Sequence, residues 1–278
     1  MRIQFKQDLN DGWHFQQKND PEWRIATVPG CVHLDLLANN LITEPFYGIN
    51  EKDLQWISEK DWSYRLTFQP DPDLFKQDKL KLYFHGLDTY AEVLLNDQKI
   101  LETDNMFHPW VADVRGILKE GENELLVHFS SPINRVLPTL QASDHILPAD
   151  NDQVKNTSPY TRKAPYHYGW DWGPSFATSG IWQAVELLGD GKWSVESAHI
   201  VQRTLSSNKA ELTLEMLVES SVDTEAELLI VGKRSKTKIS KRLQLTHGEN
   251  QISEAIIIDH PDLWWPTGHG DQNLYEFQ

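Results

Sequence analysis

The side chains with the most evident chemistry lie in one string, Arg162-Lys163-Ala164-Pro165-Tyr166-His167-Tyr168-Gly169-Trp170-Asp171-Trp172-Gly173-Pro174. One carboxylate sits between two indoles, bracketed by glycine and proline residues that fix the backbone presenting them. A sugar ring offers an apolar face for an indole to stack on and adjacent hydroxyls that can donate to the two oxygens of one carboxylate. Trp170 and Asp171 are therefore candidate sugar-binding residues, with Trp172, Arg162 and Tyr166 beside them. The same string also reads as a buried aromatic plug in which Asp171 caps a turn.

Other reactive patterns fail on spacing. Gly191-Lys192 has Glu186 five positions before it and Trp193 after it, so no phosphate-cradling loop forms there. Gly268-His269-Gly270 lacks the third glycine of a dinucleotide fingerprint, because Asn273 stands in its place. Eleven histidines occur without an HExxH pair, and no metal site is expected. His85, His108 and His128 fall in or beside expected strands and read as structural residues. Cys31 is the single cysteine, which forbids an internal disulfide. With no helix start or basic neighbour in evidence to lower its pKa, it reads as a buried free thiol.

The elements that must position the aromatic string are strands. Alternation recurs in Tyr64-Leu66-Phe68, Leu80-Leu82-Phe84 and Leu125-Val127-Phe129, and no amphipathic helix of three turns stands out, so the chain reads as all-β. Val93-Leu94-Leu95, Asn96-Asp97 and Ile100-Leu101 form a hairpin pattern, since Asn and Asp tolerate the left-handed backbone of a tight turn. Lys119-Glu120-Gly121-Glu122 marks another turn, and Val32 to Ala38 is the one short helix expected. From Ser131 to Ser179 the strand pattern lapses, in a stretch too long for an idle connection and too aromatic for disorder. Ile181 to Leu188 is expected to be the closing strand of a first domain, residues 1–189, with the boundary at Gly189-Asp190-Gly191.

Residues 190–278 then show β-rich segments at Ala210 to Val218, Ala226 to Val231, Ile239 to Leu245 and Ile252 to Ile258, a spacing that suits a small Ig-like sandwich. Leu274 to Gln278 reads as an alternating strand that stops without a turn, so this second sandwich is expected to be incomplete.

The 278 residues carry 26 Lys and Arg against 41 Asp and Glu, a formal net charge of −15. That balance repels phosphates and anionic headgroups, which makes nucleic acid and membrane surfaces poor partners. No run of about 18 apolar residues is present, and MRIQFKQDLND has no apolar core of a signal peptide, so a cytoplasmic protein is expected. Eleven Trp, among them Trp182, Trp264 and Trp265, exceed what a core demands, and some are expected to be functional.

Further strings carry a resemblance: Val28-Pro29-Gly30-Cys31-Val32-His33, Pro45-Phe46-Tyr47-Gly48, Asn50-Glu51-Lys52-Asp53-Leu54-Gln55-Trp56 and Asp61-Trp62-Ser63-Tyr64-Arg65. They continue through Gly86-Leu87-Asp88-Thr89-Tyr90-Ala91, Glu102-Thr103-Asp104-Asn105-Met106-Phe107, Gly169-Trp170-Asp171-Trp172-Gly173-Pro174 and Leu263-Trp264-Trp265-Pro266. In order, and over nearly the whole chain, these strings resemble the β-mannosidase branch of glycoside hydrolase family 2.

The resemblance implies a jelly-roll (galactose-binding-like) β-sandwich over 1–189, then an Ig-like sandwich, then a catalytic barrel that these residues do not include. In such retaining enzymes two glutamates about 5–5.5 Å apart act as acid/base and nucleophile, without metal or cofactor. The family's acid/base lies in an Asn-Glu dipeptide at a barrel strand's end; Asn50-Glu51 and Asn123-Glu124 follow no such strand and are coincidental. The implied partner is a β-mannoside oligosaccharide, with Trp170 and Asp171 bordering the subsite of the terminal mannose. An autonomous carbohydrate-binding module, a β-glucuronidase or β-galactosidase branch, and a purely structural pair of sandwiches are the rival readings. The oligomeric state is not legible.

Overall fold

The strands that follow the alternation, such as Lys79–Phe84 and Asn123–Phe129, do so because they have one face to bury. The computed structural model describes residues 5–145, 147–149, 152 and 155–278. Residues 1–4 of the amino-terminal reading, and five residues of the 131–179 stretch, lie outside these. The chain forms two compact units, Met1–Gly189 and Asp190–Gln278.

In the first unit the strands are β1 (Phe5–Asp8), β2 (His14–Gln17), β3 (Arg24–Ile25), β4 (Trp62–Phe68), β5 (Lys79–Phe84), β6 (Tyr90–Leu95), β7 (Gln98–Asp104), β8 (Trp110–Asp113), β9 (Asn123–Phe129) and β10 (Val185–Asp190). They make a six-stranded sheet ordered β3-β2-β4-β9-β6-β7 and a four-stranded sheet ordered β1-β10-β5-β8. Antiparallel register sets Trp62 opposite Phe129, Tyr64 opposite Val127 and Leu66 opposite Leu125, and Val93 meets Val127 from the other side. These side chains share one face, and with Trp13, Phe15, Leu80, Leu82, Phe84 and Leu187 they form the core. The expected Asn96-Asp97 turn joins β6 to β7, with φ of 50° and 66° at its two corners.

The short helix is where the sequence places it, α1 (Val32–Ala38). Cys31 is its N-cap, so the thiol does stand at a helix start. Burial nevertheless outweighs the amides of His33 and Leu34 and pushes the thiol's pKa up, which disfavours the thiolate. The closing strand begins at Val185 rather than Ile181, because Gly180 is drawn into an isolated bridge with Asp88 and the residues between do not join a ladder.

The second unit pairs β11 (Trp193–Leu205), β12 (Lys209–Ser220) and β15 (Gly248–Asp259) in one sheet and β13 (Thr224–Gly232) with β14 (Thr237–Leu245) in another. Ala210, Leu214, Leu228, Ile230, Ile256 and Ile258 fill the space between. The end of the chain differs from the expected strand: Phe277 makes only an isolated bridge to Gly232, with Gln278 exchanging two backbone hydrogen bonds with Val231.

Candidate functional site

The aromatic string is a tight turn on a stiff base. A 3₁₀ turn at Pro165–Tyr168 ends at Gly169, whose φ of 117° and ψ of 168° only glycine adopts without strain. The N–H of Trp170 donates to the Gly173 carbonyl and the N–H of Gly173 to the Trp170 carbonyl, both at 3.3 Å. Asp171 and Trp172 are thereby the two corner residues of a closed turn, and Pro174 has no N–H to extend it.

The turn faces water. Trp172 is 85% exposed and Trp170 44% exposed, their rings 6.1 Å apart and inclined at 77°. Asp171 is exposed and has no hydrogen-bond or ion-pair partner among the described residues. Neither half of the plug reading fits this geometry. Tyr168 alone of the string's aromatic rings is buried, against Ile133 and Ala177. Tyr166 is exposed, with the His167 ring edge-on at 4.8 Å. Arg162 is exposed and forms no ion pair with Asp171; its carbonyl instead accepts the N–H of Met106 at 3.1 Å.

What the sequence did not reveal is how many distant strings grip this segment. The carboxylate of Glu51, in α2 (Asn50–Asp53), accepts the Ser175 N–H at 2.6 Å, and the Gln55 amide donates to the Ser175 carbonyl at 2.9 Å. Phe176 packs edge-on against His33 and Phe46, at 5.5 and 5.4 Å. The N–H of Ala164 points at the Met106 sulfur at 3.1 Å. At the carboxyl end Val32 donates to the Ser179 carbonyl and Gly30 to that of Ile181.

A buried polar cluster joins the two ends of the segment that carries the turn. The Lys163 ammonium pairs with the Asp88 carboxylate and donates to both the carbonyl and the hydroxyl oxygen of Thr178, at 2.8 and 3.1 Å. The Thr178 hydroxyl reaches the same Asp88 oxygen at 2.7 Å. Burial lowers the Lys163 pKa and the Asp88 charge opposes it. Burial likewise pushes the His33 and His167 imidazoles down to about 4, with the Lys163 charge adding to both. Both rings are neutral at pH 7. Among the described residues no group of acidic, histidine and cysteine side chains could hold a metal ion.

The chain is thus two β-sandwich units in succession, with an exposed Trp-Asp-Trp turn on the first. The glycosyl hydrolase 2 galactose-binding domain-like family matches residues 13–183 and the glycosyl hydrolases family 2 domain matches 194–278, so the chain belongs to glycosyl hydrolase family 2. Within that family it is homologous to the amino-terminal portion of β-mannosidases. It is 37% identical to β-mannosidase B of Emericella nidulans over 96% of the chain and 32% of that relative, and 35% identical to β-mannosidase B of Thermothelomyces thermophilus over 97% and 32%. The crystal structure of β-D-mannosidase from Dictyoglomus thermophilum superposes with a TM-score of 0.91 at 38% identity, covering 99% of this chain and 34% of that one. The chain thus spans about a third of the length of these relatives, which carry catalytic regions beyond it.

Proposed function

We propose that this chain is the non-catalytic amino-terminal part of a retaining exo-β-mannosidase and that its Trp170–Gly173 turn supplies part of the subsite for the terminal mannose. The observation that carries this reading is the turn itself: two indoles and one carboxylate stand exposed, and that carboxylate has no partner among the described residues. Exposing a tryptophan that could be buried forgoes roughly 2 kcal/mol of hydrophobic stabilisation, and a folded turn that does so twice suits a ligand or partner surface. The double displacement itself needs two glutamates about 5–5.5 Å apart, which belong to the catalytic region.

Two measurements test the reading. The purified chain alone should release no nitrophenol from an aryl β-mannoside above the buffer blank. Fused at its carboxyl end to a family catalytic region, its own or that of the Dictyoglomus enzyme, it should support hydrolysis of aryl β-mannosides in preference to β-galactosides and β-glucuronides. Activity of the chain alone, or a preference for either other glycoside, contradicts the proposal. The 85% exposure of Trp172 also favours a stand-alone carbohydrate-binding module. That second reading requires mannose to quench tryptophan fluorescence of the isolated chain saturably, with the effect lost in Trp172→Ala.

A further inference from the structure

The aromatic turn is carried by a long irregular segment, and such segments do not hold a side chain to the fraction of an ångström that sugar recognition demands without support from beneath. Lys163 and Thr178, fifteen positions apart, are the two ends of the stretch that carries Trp170, Asp171 and Trp172. They meet at one point. All three ammonium hydrogens of Lys163 are used: one goes to Asp88, one to the Thr178 carbonyl and one to its hydroxyl. Asp88 comes from the connection between β5 and β6 and is tied to the same end of the stretch by its backbone, exchanging N–H···O bonds of 2.9 and 3.0 Å with Gly180. The Lys163 side chain has no exposed surface and that of Asp88 is 2% exposed.

A buried ion pair is a poor way to gain stability, because an apolar pair of similar volume serves equally well and avoids desolvating two charges. What the ammonium does that a methyl group cannot is join three oxygens belonging to two separate chain segments. We propose that Lys163 is a positioning residue: held by Asp88, it closes the base of the 163–178 segment and so fixes the geometry in which Trp170, Asp171 and Trp172 are presented. That this geometry serves a mannose subsite rests on the function proposed above; that the clamp sets it does not.

The test separates positioning from stability. Lys163→Met alone leaves the Asp88 charge buried without its ammonium and should lower the melting temperature sharply. Lys163→Met with Asp88→Asn removes both charges and should recover most of that loss. In this double variant, amides of residues 164–177 should still exchange about tenfold faster than in the parent chain, the effect of roughly one lost charged hydrogen bond. The indole N–H resonances of Trp170 and Trp172 should shift or broaden while those of the buried Trp13 and Trp62 stay in place. Parental exchange and unmoved Trp170 and Trp172 resonances in a stably folded double variant would overturn the proposal. Joined to a catalytic region, the same variant should lose kcat/KM for β-mannosides; loosened amides without that loss leave the clamp standing and count against the mannose subsite instead.

Discussion

The Glu51 carboxylate accepts the backbone N–H of Ser175, 124 positions along the chain, at 2.6 Å. Asn50-Glu51 has the form of a family acid/base dipeptide and no catalytic setting; its glutamate instead holds the aromatic segment one residue past Pro174. A charged acceptor of this kind contributes roughly 1.5–3 kcal/mol, so Glu51→Ala should speed exchange of the Ser175 amide about ten- to a hundredfold. Glu51→Gln keeps an acceptor oxygen and should do less. Equal, negligible effects of both substitutions on that amide would show that the contact restrains nothing.

Gly180 is the other fixed point. A Cβ there would lie 2.8 Å from the Cys31 Cα and 2.9 Å from the Gly30 carbonyl oxygen, both main-chain atoms that cannot swing aside, at a φ of 154°. Gly180→Ala should therefore destabilise the first unit by about 3 kcal/mol, the upper end for overpacking a tight site. Gly191→Ala, where nothing lies within 4 Å, is the control and should change stability by less than about 0.5 kcal/mol. Chemical denaturation of the two variants checks the contrast.

Acid should loosen the same region with a definite sign. His33 and His167 titrate near 4 in the folded chain against about 6.5 when unfolded, so between these values the unfolded state binds two protons that the native state refuses. Asp35 runs the other way. Burial raises its carboxyl to about 6 from 3.8, against the hydrogen bonds from Tyr64 and Thr27, and the native state then binds one proton more between those values. Of these three groups only the two histidines act from pH 6.5 to 6, and below 6 their sum is 2 − 1 = 1 proton; His128, whose pKa burial also lowers, works in the same direction as the other histidines. Stability should fall as pH drops from 6 to 4.5 by about 1.4 kcal/mol per unit, and His167→Gln should flatten the slope. Urea denaturation across that range checks it, and stability rising on acidification would contradict the assignment.

The legible parts of the fold are those whose pattern is local. Asn96-Asp97 announced its hairpin because two adjacent left-handed residues need that chemistry, and β12 to β15 showed themselves by side chains alternating into a core. Strand β11 escaped notice because nearly all of its thirteen residues are at least partly exposed, so burial imposes no alternation on them. The turn residues Trp170, Asp171 and Trp172 stood out by type and spacing. Asp88, Lys163, Glu51 and Met106 did not, since each acquires its role from a partner 58 to 124 positions away and no single-sequence period records such pairings.

The central claim is that Asp171 grips the terminal mannose, and the most direct measurement is kcat/KM of Asp171→Ala for an aryl β-mannoside, in the chain joined to a catalytic region. In the proposed subsite, two charge-assisted hydrogen bonds of roughly 1.5–3 kcal/mol each, applied to a part of the sugar that does not react, would help hold the ring toward its distorted transition state. At about 1.4 kcal/mol per tenfold in rate, the substitution should lower kcat/KM by roughly two to four orders of magnitude with the melting temperature unchanged. Asp171→Asn, which keeps one acceptor, should fall between. Near-normal kcat/KM in a stably folded Asp171→Ala enzyme would contradict the account.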